Sequence, residues 1–268
     1  MYDMHIHTNC SHDCNQTIDI MCTSASERGL RGIAICNHAD MGPCDVPGSY
    51  EDMCRCAAEV EQARRNYSID ILQGIEMAEQ KYDPEKAKKI LGICDYDVIL
   101  GSVHYVEYMD ITTAYSRVDF SGMSEDRISG FIEQYFCRIT DMIDNTDIDV
   151  LAHLTCPVRY INGKYNMNYD VMKHRCQIKD ILHSIIRKSI ALEVNTSGIG
   201  TTYGDYIPQG EILQIYGDMG GRLVTVASDA HTPDRVGFAL DEALDMIKHT
   251  GIDSYCYYKG RKPQTIKI

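Results

Sequence analysis

The chain has 268 residues, 44% hydrophobic and 24% charged, a composition typical of a globular protein whose core needs no disulfide staples. Its 26 basic and 39 acidic residues give a net charge of −13, and no block of Lys or Arg occurs, so stable binding to DNA or RNA is disfavoured. No apolar run approaches the roughly 18 residues of a membrane-spanning helix. A signal peptide has no room before a histidine motif at His5, so we expect a cytoplasmic protein whose twelve cysteines are mostly reduced and buried.

Strand-like and helix-like segments alternate along the first half of the chain. The pattern predicts strands at Tyr2–Ile6, Arg31–Cys36, Ile69–Ile75 and Asp97–Val103, and helices at Thr17–Arg28, Tyr50–Asn66 and Pro84–Leu91. Gly29 is expected to end the first helix. Two connections are predicted as loops. One holds Gly42, Pro43, Pro47 and Gly48, and the other is Tyr105–Met123, which has no clear period and the length of a lid or binding loop.

The alternation continues in the second half. It predicts helices at Ser124–Asp144, Tyr169–Lys188, Pro208–Met219 and Val236–His249, and strands at Asp149–Leu154, Ile190–Asn195, Arg222–Ala227 and Tyr255–Tyr258. A loop at Thr155–Asn168 carries Arg159 and Lys164. Seven strand–helix units in succession, with no internal repeat or domain boundary, favour one α/β domain over residues 1–268 that forms a closed or nearly closed parallel barrel.

Six of the ten histidines lie where a predicted strand ends, and two acids join them in the same way: His5, His7, His38, His104, His153 and His231, with Glu76 and Asp229. The carboxyl ends of parallel barrel strands meet at one mouth of the barrel. The sequence therefore predicts a metal site at the C-terminal ends of the strands. Mixed imidazole and carboxylate ligands suit zinc, iron or manganese.

Several of these ligands have a predicted arrangement. His5 and His7 are separated by one residue, as are Asp229 and His231, and the first and last strands of a barrel are neighbours, so the two pairs should face each other. Glu76 has two oxygens and could bridge two metals. Asp13 could act with His38, although His12 beside it could substitute. Asp3 and Glu193 are expected to support the ligands, whereas three histidines within predicted helices are expected to be structural or solvent-facing: His174, His183 and His249.

These residues fall in motifs that resemble the PHP (polymerase and histidinol phosphatase) family, most closely its histidinol-phosphatase branch. The motifs are Asp3-Met-His-Ile-His-Thr-Asn-Cys-Ser-His-Asp13, Cys36-Asn-His38, Gly74-Ile-Glu76, Gly101-Ser-Val-His-Tyr105, Leu151-Ala-His-Leu154, Glu193-Val-Asn-Thr-Ser-Gly198 and Ser228-Asp-Ala-His231. The resemblance implies a distorted TIM-like (β/α)7 barrel with a trinuclear site of Zn, Mn or Fe ions. It assigns His5, His7, Glu76 and Asp229 to one ion, Glu76, His104 and His153 to a second, and Asp13, His38 and His231 to a third.

The same resemblance bears on substrate contacts. Members of the phosphatase branch often carry a basic residue just after the Asn-Thr-Ser-Gly turn, where this chain has Ile199-Gly-Thr-Thr202. Arg159, and less strongly Arg117, are the remaining candidates for phosphate contact. Asn195 and Ser197 of the turn itself are further candidates for substrate binding.

The implied activity is metal-dependent hydrolysis of a phosphate monoester, with L-histidinol phosphate, an intermediate of histidine biosynthesis, as the favoured small-molecule substrate. Asp229 and His231 are expected to assist catalysis. One alternative is a family phosphoesterase acting on a nucleotide or sugar phosphate. A second is a non-catalytic metal-binding regulatory barrel, and a third is a metal-dependent amidohydrolase, which would usually need a bridging lysine that no strand end offers. The sequence leaves the oligomeric state open.

Overall fold

The structure is a computed structural model that describes residues 1–43 and 50–268, so Pro47 and Gly48 of one predicted loop lie outside the described residues. Its strands, in chain order, are β1 (Tyr2–Ile6), β2 (Gly32–Ile35), β3 (His38–Asp40), β4 (Asp70–Ala78), β5 (Val98–Ser102), β6 (Tyr105–Tyr108), β7 (Ile111–Ala114), β8 (Val150–Leu151), β9 (Ala191–Asn195), β10 (Val224–Ala227), β11 (Ser254–Lys259) and β12 (Lys262–Lys267).

The helices are α1 (Ile18–Glu27), α2 (Tyr50–Asn66), α3 (Pro84–Leu91), α4 (Glu125–Asn145), the short α5 (Cys156–Val158), α6 (Arg175–Lys188), α7 (Gly210–Asp218) and α8 (Leu240–His249). Several begin where the sequence supplies a cap. The side chain of Asp83 accepts from the Lys86 amide ahead of α3, and that of Ser124 accepts from the Arg127 amide ahead of α4. Gly29 follows α1 with a φ of 71°, so it ends the helix as predicted. No helix among the described residues is both long and apolar enough to span a membrane.

Seven parallel strands form a nearly closed barrel in the order β1-β2-β4-β5-β8-β9-β10, and β3 pairs with the distal part of β4. The first and last strands of this order meet at their carboxyl ends. There the His7 amide donates to the Ala230 carbonyl (2.9 Å), and the Asp229 amide donates to the His5 carbonyl (2.8 Å). The predicted (β/α)7 barrel is therefore confirmed, together with the predicted contact between its first and last strands.

The inside of the barrel is filled mainly by small and medium side chains, whereas larger apolar residues pack between the strands and the helices. The interior set includes Met4, Ala34, Cys36, Leu72, Leu100, Ala152 and Ala191. Gly74 belongs to this layer because a Cβ there would lie 2.3 Å from the Cys36 sulfur. The hairpin β11–β12 packs near the amino-terminal end of β1, where Tyr257 stacks on Tyr2 with 3.9 Å between ring centroids.

A β-bulge in β1 decides which of its side chains reach the mouth. Asp3 pairs with Ile33 but Ile6 pairs with Ile35, so β1 has one residue more than β2 in this interval. Met4 lies in the barrel interior, whereas Ile6, two residues later, packs in the outer core. The bulge thus reverses the alternation, which turns His5 toward the inside of the barrel mouth.

Two segments predicted as loops contain regular structure. Within Tyr105–Met123, β6 and β7 form a hairpin around Met109, whose φ is 54°. The turn Met109-Asp110 lacks the Asn-Gly or Asp-Gly signal of common hairpins, so the sequence did not reveal this hairpin. Within Thr155–Asn168, α5 runs directly into a π-helical turn that starts at Arg159.

Other predicted boundaries were also wrong. The helix predicted from Tyr169 starts at Arg175, after a 3-10 turn capped by Asp170. The helix predicted from Val236 starts at Leu240, because Ala239 adopts a left-handed conformation with a φ of 57°. The strand predicted to end at Ile75 continues to Ala78, where β3 lies beside it. The final strand has a partner, β12, that was not predicted.

Candidate metal centre

The strand-end residues predicted from the sequence come together at the carboxyl end of the barrel. Four overlapping groups of side chains have ligand atoms within 4.8 Å of one another: His7, Asp13, His38 and His231; His5, His7 and Asp229; His5, Glu76 and His153; and His38, Asp40 and His104. All the residues predicted as metal ligands occur in at least one of these groups. The sharing of members between the groups makes them one continuous cluster.

Glu76 lies at the centre of this cluster and is fully buried. Its Oε1 lies 2.8 Å from His153 Nε2 and 3.1 Å from His104 Nε2. Its Oε2 lies 2.9 Å from His38 Nδ1 and 3.3 Å from His5 Nε2. Two oxygens that face different sets of imidazoles are the arrangement expected of a carboxylate shared by two cations.

Neighbouring side chains set the ring nitrogen that each imidazole of β1 turns to the cluster. Glu193 Oε1 lies 2.8 Å from His5 Nδ1, and the Ser11 hydroxyl lies 3.0 Å from His7 Nδ1. These partners leave both Nε2 atoms facing inward, 3.0 Å apart. Supporting hydrogen bonds of this kind fix the orientation and tautomer of metal-binding histidines. The contact places Glu193 beside His5, and its supporting role at a metal site stays a prediction.

Asp3 is the other residue predicted to support the ligands, a role that stays a prediction. Its carboxylate accepts from the backbone amides of Ser228 and Gly237, each at 2.8 Å. The contact ties β1 to the loop that follows β10 and carries Asp229 and His231. Asp3 therefore holds together the two chain segments that deliver the facing ligand pairs.

A second part of the cluster lies nearer to solvent. Asp13 Oδ2 is 3.1 Å from His231 Nε2 and 3.4 Å from His38 Nε2. Burial alone would raise the pKa of Asp13, but these two imidazoles hold it well below its usual range. His12 is exposed and belongs to none of the four groups described above. The geometry therefore favours Asp13 over His12 as the ligand at this position.

Asp40 is part of the cluster, and the sequence analysis missed it. It is buried at the end of β3, with Oδ2 3.1 Å from His104 Nδ1 and Oδ1 3.7 Å from His38 Nδ1. A signal for it was present, since His38-Ala-Asp40 repeats the one-residue spacing of His5-Ile-His7 and Asp229-Ala-His231. The missing information was β3 itself, a three-residue strand too short to predict from periodicity.

Two residues of the cluster adopt backbone conformations that are rare for residues other than glycine. The φ of His153 is 24° and that of Asp229 is 53°. Positive φ at such residues costs roughly 1–3 kcal/mol and is concentrated at functional sites. The surrounding hydrogen bonds hold both, since the His153 amide donates to Glu193 Oε2 at 2.7 Å and the Asp229 amide donates to the His5 carbonyl.

The donor set fits divalent transition-metal ions. Glu76 Oε2, His38 Nδ1 and Asp40 Oδ1 are buried and have no hydrogen-bond partner of suitable geometry among the described residues, although His38 Nδ1 lies 2.9 Å from the first and 3.7 Å from the last. A buried polar atom without a partner costs roughly 1–3 kcal/mol, which a bound cation would remove. Burial, together with the nearby imidazoles of His231 and His38, lowers the pKa of His7 to about 3. His7 is therefore neutral at pH 7, the form that binds a metal.

A small cavity of about 130 Å³ lies over the cluster, and its wall includes Arg159, Tyr160, Tyr115 and Arg117. Arg159 Nη1 donates to the Ser197 hydroxyl at 2.7 Å, and Nη2 donates to the Tyr160 hydroxyl at 2.9 Å. No carboxylate of the described residues lies within 4 Å of its guanidinium nitrogens. Arg159 is therefore a partly buried cation beside the cluster, and no carboxylate among the described residues forms an ion pair with it.

The other predicted substrate contacts have different surroundings. Arg117 is exposed at the edge of the cavity. Asn195 is fully buried, and its amide nitrogen donates to Glu193 at 3.1 Å and to Asp229 at 3.4 Å. These contacts suit a residue that positions Asp229, and contact between Asn195 and substrate stays a prediction. The three helical histidines are outside the cluster: His174 is buried against Tyr169, and His183 and His249 are exposed.

Several known proteins are similar to this chain in sequence or in fold. The chain is 25% identical over 268 residues, 100% of both chains, to a Thermotoga maritima protein named "Probable histidinol-phosphatase". It is 22% identical to the histidinol-phosphatase of Lactococcus lactis subsp. lactis, over 97% of this chain and 95% of that protein. A crystal structure of histidinol phosphate phosphatase from the same organism, complexed with zinc, L-histidinol and phosphate, has the same fold, with a TM-score of 0.79 at 21% identity over 98% of each chain. The model of the PHP domain family matches residues 3–197, which is most of the chain, and this protein therefore belongs to the PHP domain family.

Proposed function

We propose that the protein is a metal-dependent phosphatase that hydrolyses L-histidinol phosphate to L-histidinol and phosphate in cytoplasmic histidine biosynthesis. The observation that carries the proposal is Arg159, a cation with no carboxylate partner among the described residues, at the wall of a cavity over the ligand cluster. A dianionic phosphate monoester would supply the missing charge. The full-length similarity to proteins named histidinol-phosphatase supports this choice of substrate.

The proposal includes three divalent ions, each zinc, manganese or iron. His5, His7, Glu76 and Asp229 would hold one, Glu76, His104 and His153 a second, and Asp13, His38 and His231 a third. Such ions, when bound, neutralise the charge of the phosphate and make an ionised water available at neutral pH. Asp40 is an additional candidate ligand because it faces both His38 and His104.

The chain's own side chains would then orient the substrate. The planar guanidinium of Arg159 presents several N–H donors, of which some contact Ser197 and Tyr160, and the others could form a fork with phosphate oxygens. Ser197 holds Arg159 in place and lies beside the same cavity wall. Asp229 and His231 also line the cavity, and we propose that they assist proton transfer to the oxygen that leaves with histidinol.

Preference for histidinol phosphate must come from contacts to the leaving group, since all phosphate monoesters share the same phosphate chemistry. Tyr115 and Tyr160 both line the cavity, with 5.6 Å between their ring centroids. Aromatic faces at this position could stack on an imidazole ring. The hairpin β6–β7, which leads directly into Tyr115, would place that ring over the mouth of the barrel.

The test is a comparison of kcat/KM for L-histidinol phosphate, a nucleoside monophosphate, a sugar phosphate and an aryl phosphate, using protein loaded with zinc, manganese or iron. We expect histidinol phosphate to be preferred by at least tenfold. Preference for a nucleotide or sugar phosphate would refute the substrate and retain the phosphatase. Absence of hydrolysis of every ester with a full complement of metal would indicate a non-catalytic metal-binding barrel.

A further inference from the structure

Glu79 directly follows the last residue of β4, and the site chemistry described above gives it no role. Its side chain is buried, and its backbone is left-handed, with a φ of 51°. Such a conformation is rare for residues other than glycine and is concentrated at functional sites. Because β4 also carries Glu76, one short segment of the chain brings two carboxyl groups to the ligand cluster.

One oxygen of Glu79 accepts two consecutive backbone amides. Its Oε1 lies 2.6 Å from the His104 nitrogen and 3.0 Å from the Tyr105 nitrogen. These amides lie where the chain leaves β5 and enters β6. Loss of the acceptor of a buried amide is unfavourable, so the carboxyl group of Glu79 fixes the backbone at this junction.

The imidazole of His104 is held separately, by two carboxylates of the cluster. Its Nε2 lies 3.1 Å from Glu76 Oε1, and its Nδ1 lies 3.1 Å from Asp40 Oδ2. An imidazole has a short reach, so a shift of the His104 backbone would carry the ring away from both partners. Because Glu79 holds that backbone and Glu76 faces the ring, the segment at the end of β4 sets the separation between His104 and the shared carboxylate.

The same contacts hold the hairpin β6–β7. Tyr105 is the first residue of this hairpin, and the amide of Tyr115, directly after it, donates to the His104 carbonyl at 2.9 Å. The Tyr115 ring lies 6.0 Å from the His104 ring, measured between centroids, and lines the cavity over the cluster. Glu79 therefore anchors a short piece of backbone from which both a predicted ligand and the hairpin extend.

We propose that Glu79 is a positioning residue, which holds the His104 backbone so that the imidazole reaches the ion shared with Glu76 and His153. The inference rests on the metal-dependent function proposed above, and Glu79 itself would touch neither an ion nor the substrate. Residues that hold a metal ligand in place typically contribute roughly 10- to 100-fold to metal affinity. Removal of the Glu79 acceptor should therefore weaken the binding of this one ion at least tenfold and leave the other two in place.

The experiment measures zinc affinity by competition with a chelator, and zinc content by elemental analysis, so it does not depend on the phosphatase reaction. Glu79→Met keeps the length of the side chain and removes both oxygens, and it is expected to lose one ion at a chelator concentration at least tenfold lower than the wild type. Glu79→Asp withdraws the oxygens by one methylene and should show a smaller loss in the same direction. Burial raises the pKa of Glu79 to about 8, so a neutral side chain is a close substitute, and Glu79→Gln, which keeps one acceptor oxygen, should restore zinc affinity to near the wild-type value.

Asp97 provides a matched control at the opposite end of β5. Its carboxylate also accepts two backbone amides, those of Gln73 and Gly260, each at 2.9 Å. Asp97→Leu should lower the melting temperature and leave the zinc content and affinity unchanged. Wild-type zinc affinity in Glu79→Met, or an equal loss of zinc in Asp97→Leu, overturns the proposal. Hydrolysis of L-histidinol phosphate is assayed separately, so a wild-type protein that binds zinc without cleaving this ester would refute the proposed substrate and leave the test of Glu79 intact.

Discussion

Replacement of Arg159 by alanine tests the proposed phosphate contact. A charge-assisted hydrogen bond to a phosphate contributes roughly 1.5–3 kcal/mol. At about 1.4 kcal/mol for each factor of ten, its loss predicts a fall in kcat/KM of roughly 10- to 100-fold. The guanidinium of Arg159 donates hydrogen bonds to Ser197 and Tyr160, and neither is a predicted metal ligand. The metal content of Arg159→Ala should therefore be unchanged.

The assay is steady-state hydrolysis of L-histidinol phosphate with metal content measured on the same samples. Arg159→Lys keeps the charge but loses the planar fork, so an intermediate loss is expected. Arg175→Ala is the matched control, because Arg175 is a surface arginine of α6 paired with Glu211 at 3.2 Å. If Arg159→Ala keeps kcat/KM within twofold of the wild type, Arg159 does not bind the phosphate and the reasoning from its missing partner is wrong.

Three further predictions follow from the cluster and the barrel. Glu76→Ala should lose more bound metal and activity than any other single ligand change, because the two oxygens of Glu76 face separate sets of imidazoles. His183→Ala, at an exposed position outside the cluster, should be silent. Elemental analysis that shows full metal content in Glu76→Ala would contradict the shared role. Neighbouring carboxylates outweigh burial and raise the pKa of the His5, His38 and His104 imidazoles well above the usual value. Because an imidazole must be neutral to bind a metal, addition of zinc to metal-free protein at pH 7 should release protons, and the affinity for zinc should fall as the pH is lowered. Calorimetry that gives the same heat in buffers of different ionisation enthalpy would exclude this release. Gly74→Ala should destabilise the barrel by roughly 1–3 kcal/mol through overpacking against Cys36, seen as a lower melting temperature, while Gly92→Ala, whose Cβ would have ordinary contacts, serves as control.

The sequence by itself determined the barrel and most of the cluster. Apolar runs that each end in a side chain able to bind a metal are local features of the sequence. Because the strand ends of a parallel barrel meet at one mouth, the sequence alone predicts that His5, Glu76 and Asp229 lie close together. The same reasoning placed Asp3 and Glu193 beside the ligands. The helix starts predicted at Pro84 and Ser124 were also local, because the start of a helix depends largely on neighbouring residues.

Only the tertiary structure decided the remaining features, because each depends on contacts between residues distant in sequence. The bulge that turns His5 inward exists only as a mismatch between β1 and β2. Asp40 joins the cluster through β3, which is too short for periodicity and is held by pairing with β4. Whether Arg159 has an ion-pair partner depends on which groups fold close by, and among the described residues no carboxylate pairs with it. A sequence pattern reports which side chains a strand presents, but a missing partner is a property of the packed molecule.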